Sequence, residues 1–421
     1  MIRLAVYITL AILLAVGAVW FADHPGNMII TWQGWEIRLS VAVFGLLALL
    51  YSFFCWYLFR LYRWFRSENP LTSPRRQQTR RQKGLAELDM GWAALAIHDR
   101  EAAIRHGKKA LGLLPDNNGP RRLLVKVSDG KDRQKYLDQL SKDPGGHLLA
   151  MACKLDIALA ENDAQASLAL LKDMQEKRPN NPWISQQLFD IQTRLGQWTA
   201  AAQELTKRAK AIDKVTKKHL SAVLAYSQAL EADLAGQKKL GREQAELALK
   251  NDPAFIPAAL LLGRYHLAQG DKTKARKVIE TTWKLAPHPE LGRFFLKLEP
   301  LESAREKFRR IQKFTALNPD HFHSRHLLAQ IALDTEHWAE AKKALDFLTG
   351  AGAATGETYQ LLARLDILQK KDEKAAQAHL AQAAEAAPDP KWCCASCHTA
   401  RENYLALCPT CHTFGQVNWQ G

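Results

Sequence analysis

Residues 259–287 read ALLLGRYHLAQGDKTKARKVIETTWKLAP. Gly263 and Ala275 stand twelve positions apart, and Pro287 follows after twelve more. Small side chains at the first two positions let two antiparallel helices approach closely. The proline, which has no N–H to donate, ends the second helix. The stretch is therefore expected to fold as a pair of helices.

The pattern recurs, and its period sets the fold. Gly91, Ala103 and Pro115 reproduce the spacing, with Ala110 at a second small position. Ala329 with Ala341 and Ala363 with Ala375 continue it in a 34-residue register, and Pro253 precedes Pro287 by that same interval. This is the tetratricopeptide signature. Pro319 follows Pro287 by only 32 residues, so the unit at 294–317 is degenerate. Weaker units surround 162–179 and 196–201, and 116–146 is the least regular segment. About six or seven helix pairs are expected over residues 84–389. Single repeats cannot bury their apolar faces alone, so they stack into a curved solenoid whose concave surface suits extended protein partners. Trp198, Trp283 and Trp338 are expected to serve helix packing.

Upstream, residues 4–22 and 39–59 carry no charged side chain. Each run can cross a hydrocarbon core about 30 Å thick as a helix. A two-helix transmembrane hairpin is expected over residues 1–59, with a cleaved signal peptide as the alternative for the first span. The intervening HPGNMIITWQGWE reads as a short loop with Trp32 and Trp35 at interfacial depth. The net charge of +15 is concentrated just beyond. Residues 60–83 hold Arg60, Arg63, Arg66, Arg75, Arg76, Arg80, Arg81 and Lys83 against the single acid Glu68. Positive charge stays on the cytoplasmic side, which places this basic arm, both termini and all the repeats in the cytoplasm. Beside anionic lipid each basic side chain adds about 1 kcal/mol of attraction. No nucleic-acid recognition motif accompanies the charge, so nucleic acid is not an expected partner.

No enzyme signature is present. GAGAATG at 350–356 follows a helical run rather than a strand, its third glycine falls one residue late for a dinucleotide loop, and it reads as an inter-repeat turn. In HFHSRH at 321–326, His323 and His326 would share a helical face as metal or haem ligands might. A solvated first turn is the preferred reading.

Five of the seven cysteines, Cys393, Cys394, Cys397, Cys408 and Cys411, crowd into the last thirty residues, where two Cys-x-x-Cys-His units stand ten residues apart. Tetrahedral zinc needs four ligands, and each Cys-x-x-Cys knuckle supplies two from one tight turn. Cys394, Cys397, Cys408 and Cys411 meet that need, with Cys393 spare. Iron in a rubredoxin-like site would use the same four thiolates. The competing reading attaches two c-type haems, with His398 and His412 as axial ligands. Haem attachment takes place outside the cytoplasm, whereas the arginine cluster holds this tail in the reducing cytosol, so one zinc ion in residues 390–421 is expected.

ADHPGNMIITWQGWEIRLSVAVFGLLALL followed by RLYRWFR resembles the membrane hairpin of proteobacterial HemY-type proteins, which carry tetratricopeptide repeats behind it. The ending WCCASCHTARENYLALCPTCHTFGQVNW resembles the zinc-ribbon or rubredoxin-like tail of some members and of the lipopolysaccharide assembly protein LapB. The resemblance implies an all-α, two-span protein of the bacterial inner membrane associated with late protohaem biosynthesis. Its role would be that of a scaffold or adaptor rather than an enzyme. A LapB-like adaptor regulating envelope lipid synthesis is the alternative, although that type has a single anchor. A c-type dihaem redox protein is the second alternative.

Overall fold

The computed structural model describes residues 26–32, 34–67, 74–208 and 212–420, with positions 8, 9, 12, 15–17, 19, 20 and 23. The first expected span lies for the most part outside the described residues, as do residues 68–73 of the basic arm.

The expected loop after that span is instead a β-hairpin, β1 (Asn27–Trp32) and β2 (Trp35–Ser40). Its register pairs Met28 with Leu39, Ile30 with Ile37 and Trp32 with Trp35, alternating with Ile29–Arg38 and Thr31–Glu36. Strand-favouring β-branched and aromatic residues flank a turn in which Gly34 takes φ +88°, a conformation open to glycine at no steric cost. Helix α1 (Val41–Ser67) follows directly, and its Val41–Arg63 stretch is long and apolar enough to cross a membrane. Among the described residues no other helix meets that test. The basic arm is no separate element where it is described. Arg60, Arg63 and Arg66 lie in the last turns of α1, and α2 opens at Pro74, a residue suited to a helix start because its missing N–H has no partner there anyway.

Among the described residues, the helices that follow form nine consecutive helix–turn–helix units where the sequence supported six or seven. They are α2 (Pro74–Ala96) with α3 (Arg100–Leu113), α4 (Asn118–Val127) with α5 (Gly130–Lys142), α6 (His147–Ala160) with α7 (Ala164–Lys177), and α8 (Pro182–Arg194) with α9 (Trp198–Lys207). Then come α10 (Lys214–Leu234) with α11 (Lys238–Asn251), α12 (Ile256–Ala268) with α13 (Lys272–Leu285), and α14 (Pro289–Lys297) with α15 (Ala304–Thr315). The last are α16 (Phe322–Asp334) with α17 (Trp338–Gly350), and α18 (Gly356–Leu365) with α19 (Glu373–Glu385). The chain divides into two compact units, Met1–Ala150 and Met151–Gly421.

A shared turn makes these pairs. In seven of them the residue between the helices is left-handed: His98, Asn162, Gly196, Gly236, Gly270, Glu336 and Lys371 all have φ between 56° and 80°. The next residue caps the start of the second helix. Asp99, Asp163, Asp271 and Asp372 each accept a hydrogen bond from the N–H three positions on, satisfying a donor that the helix itself cannot. The small-residue signature does its expected work. A Cβ on Gly91 would sit 2.5 Å from Leu123, and one on Gly263 3.0 Å from Phe294, while Ala103, Ala110, Ala275, Ala329 and Ala341 are fully buried. In the last pair the buried small residue is Ala376 rather than Ala375, because a π turn at Asp366–Lys370 absorbs one extra residue before α19. GAGAATG is the turn between α17 and α18.

In the second unit Trp283 is fully buried and lies 4.3 Å from the Phe314 ring, which stacks on Phe295 at 3.9 Å. Trp338 and Trp198 are partly buried against neighbouring cores, as their packing role requires. The fold is not purely helical: beyond α19 lie β3 (Lys391–Cys394), β4 (Ala400–Arg401) and β5 (Val417–Gln420), an antiparallel sheet in the order β4-β3-β5.

Candidate metal centre

The two Cys-x-x-Cys-His turns adopt the same backbone. His398 N–H donates to Cys394 O and Cys394 N–H to Thr399 O; His412 N–H donates to Cys408 O and Cys408 N–H to Thr413 O. Each turn is closed by a histidine at φ 56°. Both positions need the left-handed conformation, which glycine would adopt more easily than His398 and His412 do. Both imidazoles are exposed, and the potential metal-binding group comprises only the four sulfurs.

Those sulfurs converge. Cys394 Sγ is 3.6 Å from Cys411 Sγ, Cys397 Sγ is 3.6 Å from Cys408 Sγ, and all four lie within 4.8 Å of one another. A tetrahedron with metal–sulfur bonds of about 2.3 Å has sulfurs about 3.8 Å apart, so the cluster can hold one ion with little adjustment. Two haems, each bonded to its own pair, would have to occupy the space where the pairs meet, so the geometry suits one ion shared by both turns. Cys393 alternates with Cys394 along β3, half-buried and outside the cluster.

The local environment prepares thiolates unequally. The Thr399 hydroxyl and N–H beside Cys397 hold its thiol down to about 6, whereas burial pushes Cys394 up to about 11. Backbone N–H groups of Ser396 and Cys397 point at Cys394 Sγ, and those of Thr410 and Cys411 at Cys408 Sγ. Four thiolates this close repel unless a cation sits among them.

The tail lies on the first helices of the second unit's repeats. Phe414 packs on Phe189 of α8 and Trp198 of α9 at ring separations of 5.9 and 5.8 Å. Tyr404 sits 5.9 Å from Tyr226 of α10 and 5.4 Å from Phe255 at the start of α12. Trp392 donates its Nε1–H to Glu290 of α14 at 3.2 Å, and Trp419 donates to Nε2 of His323 of α16 at 2.9 Å. Asp389 accepts from Glu357 N–H at the start of α18. Gly415, at φ +66°, lies so close to α10 that a Cβ there would come within 2.8 Å of Leu220. Cysteine spacing reveals nothing of this docking; the aromatic content of the tail was its one signal.

The histidines change meaning accordingly. The expected solvated turn at 321–326 is covered instead: His323 is buried beneath Trp419, and His326 is mostly buried at 3.5 Å from Glu357. His288, which the sequence did not single out, is fully buried between Trp392 and Trp419, with Nδ1 capping α14 by accepting from Glu290 N–H. Its Nε2 has no hydrogen-bond partner.

Burial, aided by the nearby Arg293 charge, lowers His288 to about 3, and burial among His288, His321 and His326 lowers His323 to about 3. The folded state therefore binds these protons more weakly than the unfolded chain, whose imidazoles titrate near 6.5. Stability is full above that value and falls as pH drops, by up to about 1.4 kcal/mol per pH unit for each histidine. His288→Asn keeps a capping oxygen. Its pH dependence of the urea midpoint between pH 6.5 and 4.5 should be shallower than the parent's by about one proton's worth, and an unchanged slope would contradict the burial argument.

A second expectation concerns the turns. Glycine adopts the left-handed region without the penalty of about 1 kcal/mol that a side chain incurs. His398→Gly and His412→Gly should each raise the metal-loaded tail's stability by about 0.5–1 kcal/mol, read as slower metal loss to a chelator. Faster loss would assign the imidazoles a role at the ion.

Residues 26–126 match the family described as the HemY protein N-terminus. Over its whole length the chain is 23% identical to the probable magnetosome protein Mms48 of Magnetospirillum gryphiswaldense, covering 93% of that protein. Among solved structures it is similar to a tetratricopeptide repeat protein from Parabacteroides merdae, with 15% identity, coverage of 57% of this chain and 94% of that one, and a TM-score of 0.27. It is also similar to yeast Tom70, with 11% identity, coverage of 73% and 86%, and a TM-score of 0.31. The matched segment runs from β1 through α1 and into the first helix pairs, ending within α4.

Proposed function

We propose that this protein is a membrane-anchored scaffold associated with late protohaem biosynthesis, holding partner proteins at the cytoplasmic face of the bacterial inner membrane. The observation that carries the reading is the conjunction of a HemY-type segment at residues 26–126 with a long array of helix pairs, an architecture that binds proteins rather than transforming small molecules. The apolar α1 supplies an anchor, and the uncharged run at residues 4–22 is long enough by composition to supply a first span. The basic residues from Arg60 to Lys83 favour a cytoplasmic position for everything beyond them. Residues 394, 397, 408 and 411 hold one zinc ion as a structural centre; iron in the same four-thiolate site is the alternative, and a bound ion of either kind ties the two turns together.

The test is affinity capture of the full chain from detergent-solubilised membranes of its native host after brief cross-linking. Haem-pathway enzymes enriched over a repeat-deleted control support the reading. Enzymes of envelope lipid synthesis in their place would move it to the LapB-like adaptor. The full-length similarity to a probable magnetosome protein favours a second reading, a scaffold for magnetosome proteins, which such proteins in the capture would support.

A further inference from the structure

The tail covers a continuous face of the second unit's repeats. In the second unit its aromatic residues are set into α8, α10, α12, α14 and α16, the first helices of five successive pairs. The sockets are apolar and aromatic: Phe189, Tyr226, Phe255 and His288, with Glu290 and His323 accepting the two indole N–H groups. Trp392 and Phe414 are both buried, so the docking removes two large aromatic side chains from water.

The tail has little of its own to hold its shape. Its buried core consists of Trp392, Cys394, Cys408 and Val417, with Cys397, Tyr404, Cys411 and Trp419 partly buried against it, so half of the tail's own core is the ligand set. Its strands are two to four residues long. A segment of this size does not fold on apolar burial alone, and a structural metal is the usual remedy. The anchors are geometrically slaved to the two turns. Trp392 and Trp419 pair across β3 and β5 beside Cys394, while Phe414 and Leu407 are bridged across the turn that carries Cys408 and Cys411. Besides ligation, the two sets are joined by single contacts such as Ala395 N–H to Gln416 O, Arg401 to Thr410 Oγ1 and the Trp392–Tyr404 ring pair at 5.2 Å, so the shared centre is the strongest cross-link between them.

We infer that metal occupancy gates access to the first-helix face of the second unit: the loaded tail covers it, and loss of the ion frees it. The inference rests on the metal centre proposed above. Four sulfurs that cease to share a cation either repel as thiolates or take up protons, and both remove the cross-link that keeps Phe414, Tyr404, Trp392 and Trp419 in one rigid arrangement. The scaffold's client surface would then be open only in the metal-free state.

The test uses the full chain in detergent micelles or nanodiscs. Metal content is measured by mass spectrometry, and amide hydrogen exchange is followed before chelation, after chelation and after zinc is restored. The expected result is one ion per chain and exchange at least tenfold faster in α10 and α12 once the ion is removed. Zinc should reverse it, with little change in the second helices α11 and α13. Phe414→Ala combined with Trp419→Ala retains the four cysteines and should show fast exchange with the ion still bound. If the ion leaves and exchange in α10 and α12 stays within twofold of the loaded protein, the gate is overturned while the metal centre stands. If the purified chain neither carries nor takes up an ion, both fall.

Discussion

Cys408→Ser is expected to weaken metal retention sharply and unfold residues 390–421, removing a large part of a binding free energy that is on the order of 10 kcal/mol for a whole structural zinc site at neutral pH. The size follows from the position of the residue. Cys408 is fully buried, its sulfur lies 3.6 Å from Cys397, and it belongs to both the ligand set and the tail core. Serine replaces a thiolate by a hydroxyl that does not ionise at this pH, leaving a site with three sulfurs and a buried polar group. Equilibrium competition with a chelator reads the loss, and fluorescence of the four tail aromatics reads the unfolding. Cys393→Ser is the control: outside the cluster, it should keep the ion. A Cys408→Ser chain that retains one ion with unchanged affinity would remove the four-thiolate centre from the account.

The second large effect is expected at Trp283. Truncation to alanine should destabilise the second unit by about 3–5 kcal/mol, the usual cost of deleting a fully buried large aromatic side chain. The ring has no exposed surface, contacts Phe314 at 4.3 Å, and sits in a cluster with Ile279, Leu291 and Ile311 that cannot collapse into the space without moving whole helices. Its indole N–H has no hydrogen-bond partner, so the loss is one of packing. Trp283→Phe, which removes that unpaired donor and keeps most of the ring, should cost far less, and Trp338→Ala at a partly buried site should also cost less. Urea unfolding of the full chain, with the second unit followed by hydrogen exchange in α12 to α15, checks the order. Equal effects at Trp283 and Trp338 would contradict it.

The repeat fold was legible because its signature is steric. Gly91, Gly263, Ala275 and Ala341 are small where helices cross, and one small residue per crossing leaves a period in the sequence. The number of pairs was undercounted because α4 with α5, and α14 with α15, meet through larger side chains such as Phe295 and Phe314 and so lack that mark. The left-handed turns at His98, Asn162, Glu336 and Lys371 were invisible for a related reason: only glycine advertises a positive φ, and the strain at other residues is offset by the packing of the two helices they join. The β-hairpin at 27–40 was masked by its proximity to apolar spans, where alternation reads as part of a membrane segment. The ligand set was legible from spacing, since each knuckle is local. The docking of the tail was not, because which surface an exposed-looking tryptophan meets depends on helices about a hundred residues away, as with Trp392 and Glu290. For the same reason His323 read as a solvated turn residue and His288 was passed over.

Both the scaffold reading and the metal centre depend on the side of the membrane that the repeats and the cysteine tail occupy. A pair of reporters fused after residue 421, one active only in the cytoplasm and one only in the periplasm, measures this directly in the native host. Cytoplasmic activity with a silent periplasmic reporter is the predicted result. Periplasmic activity would place the thiols in an oxidising compartment, contradict the arginine-driven orientation, and reopen covalent haem attachment at the two Cys-x-x-Cys-His turns.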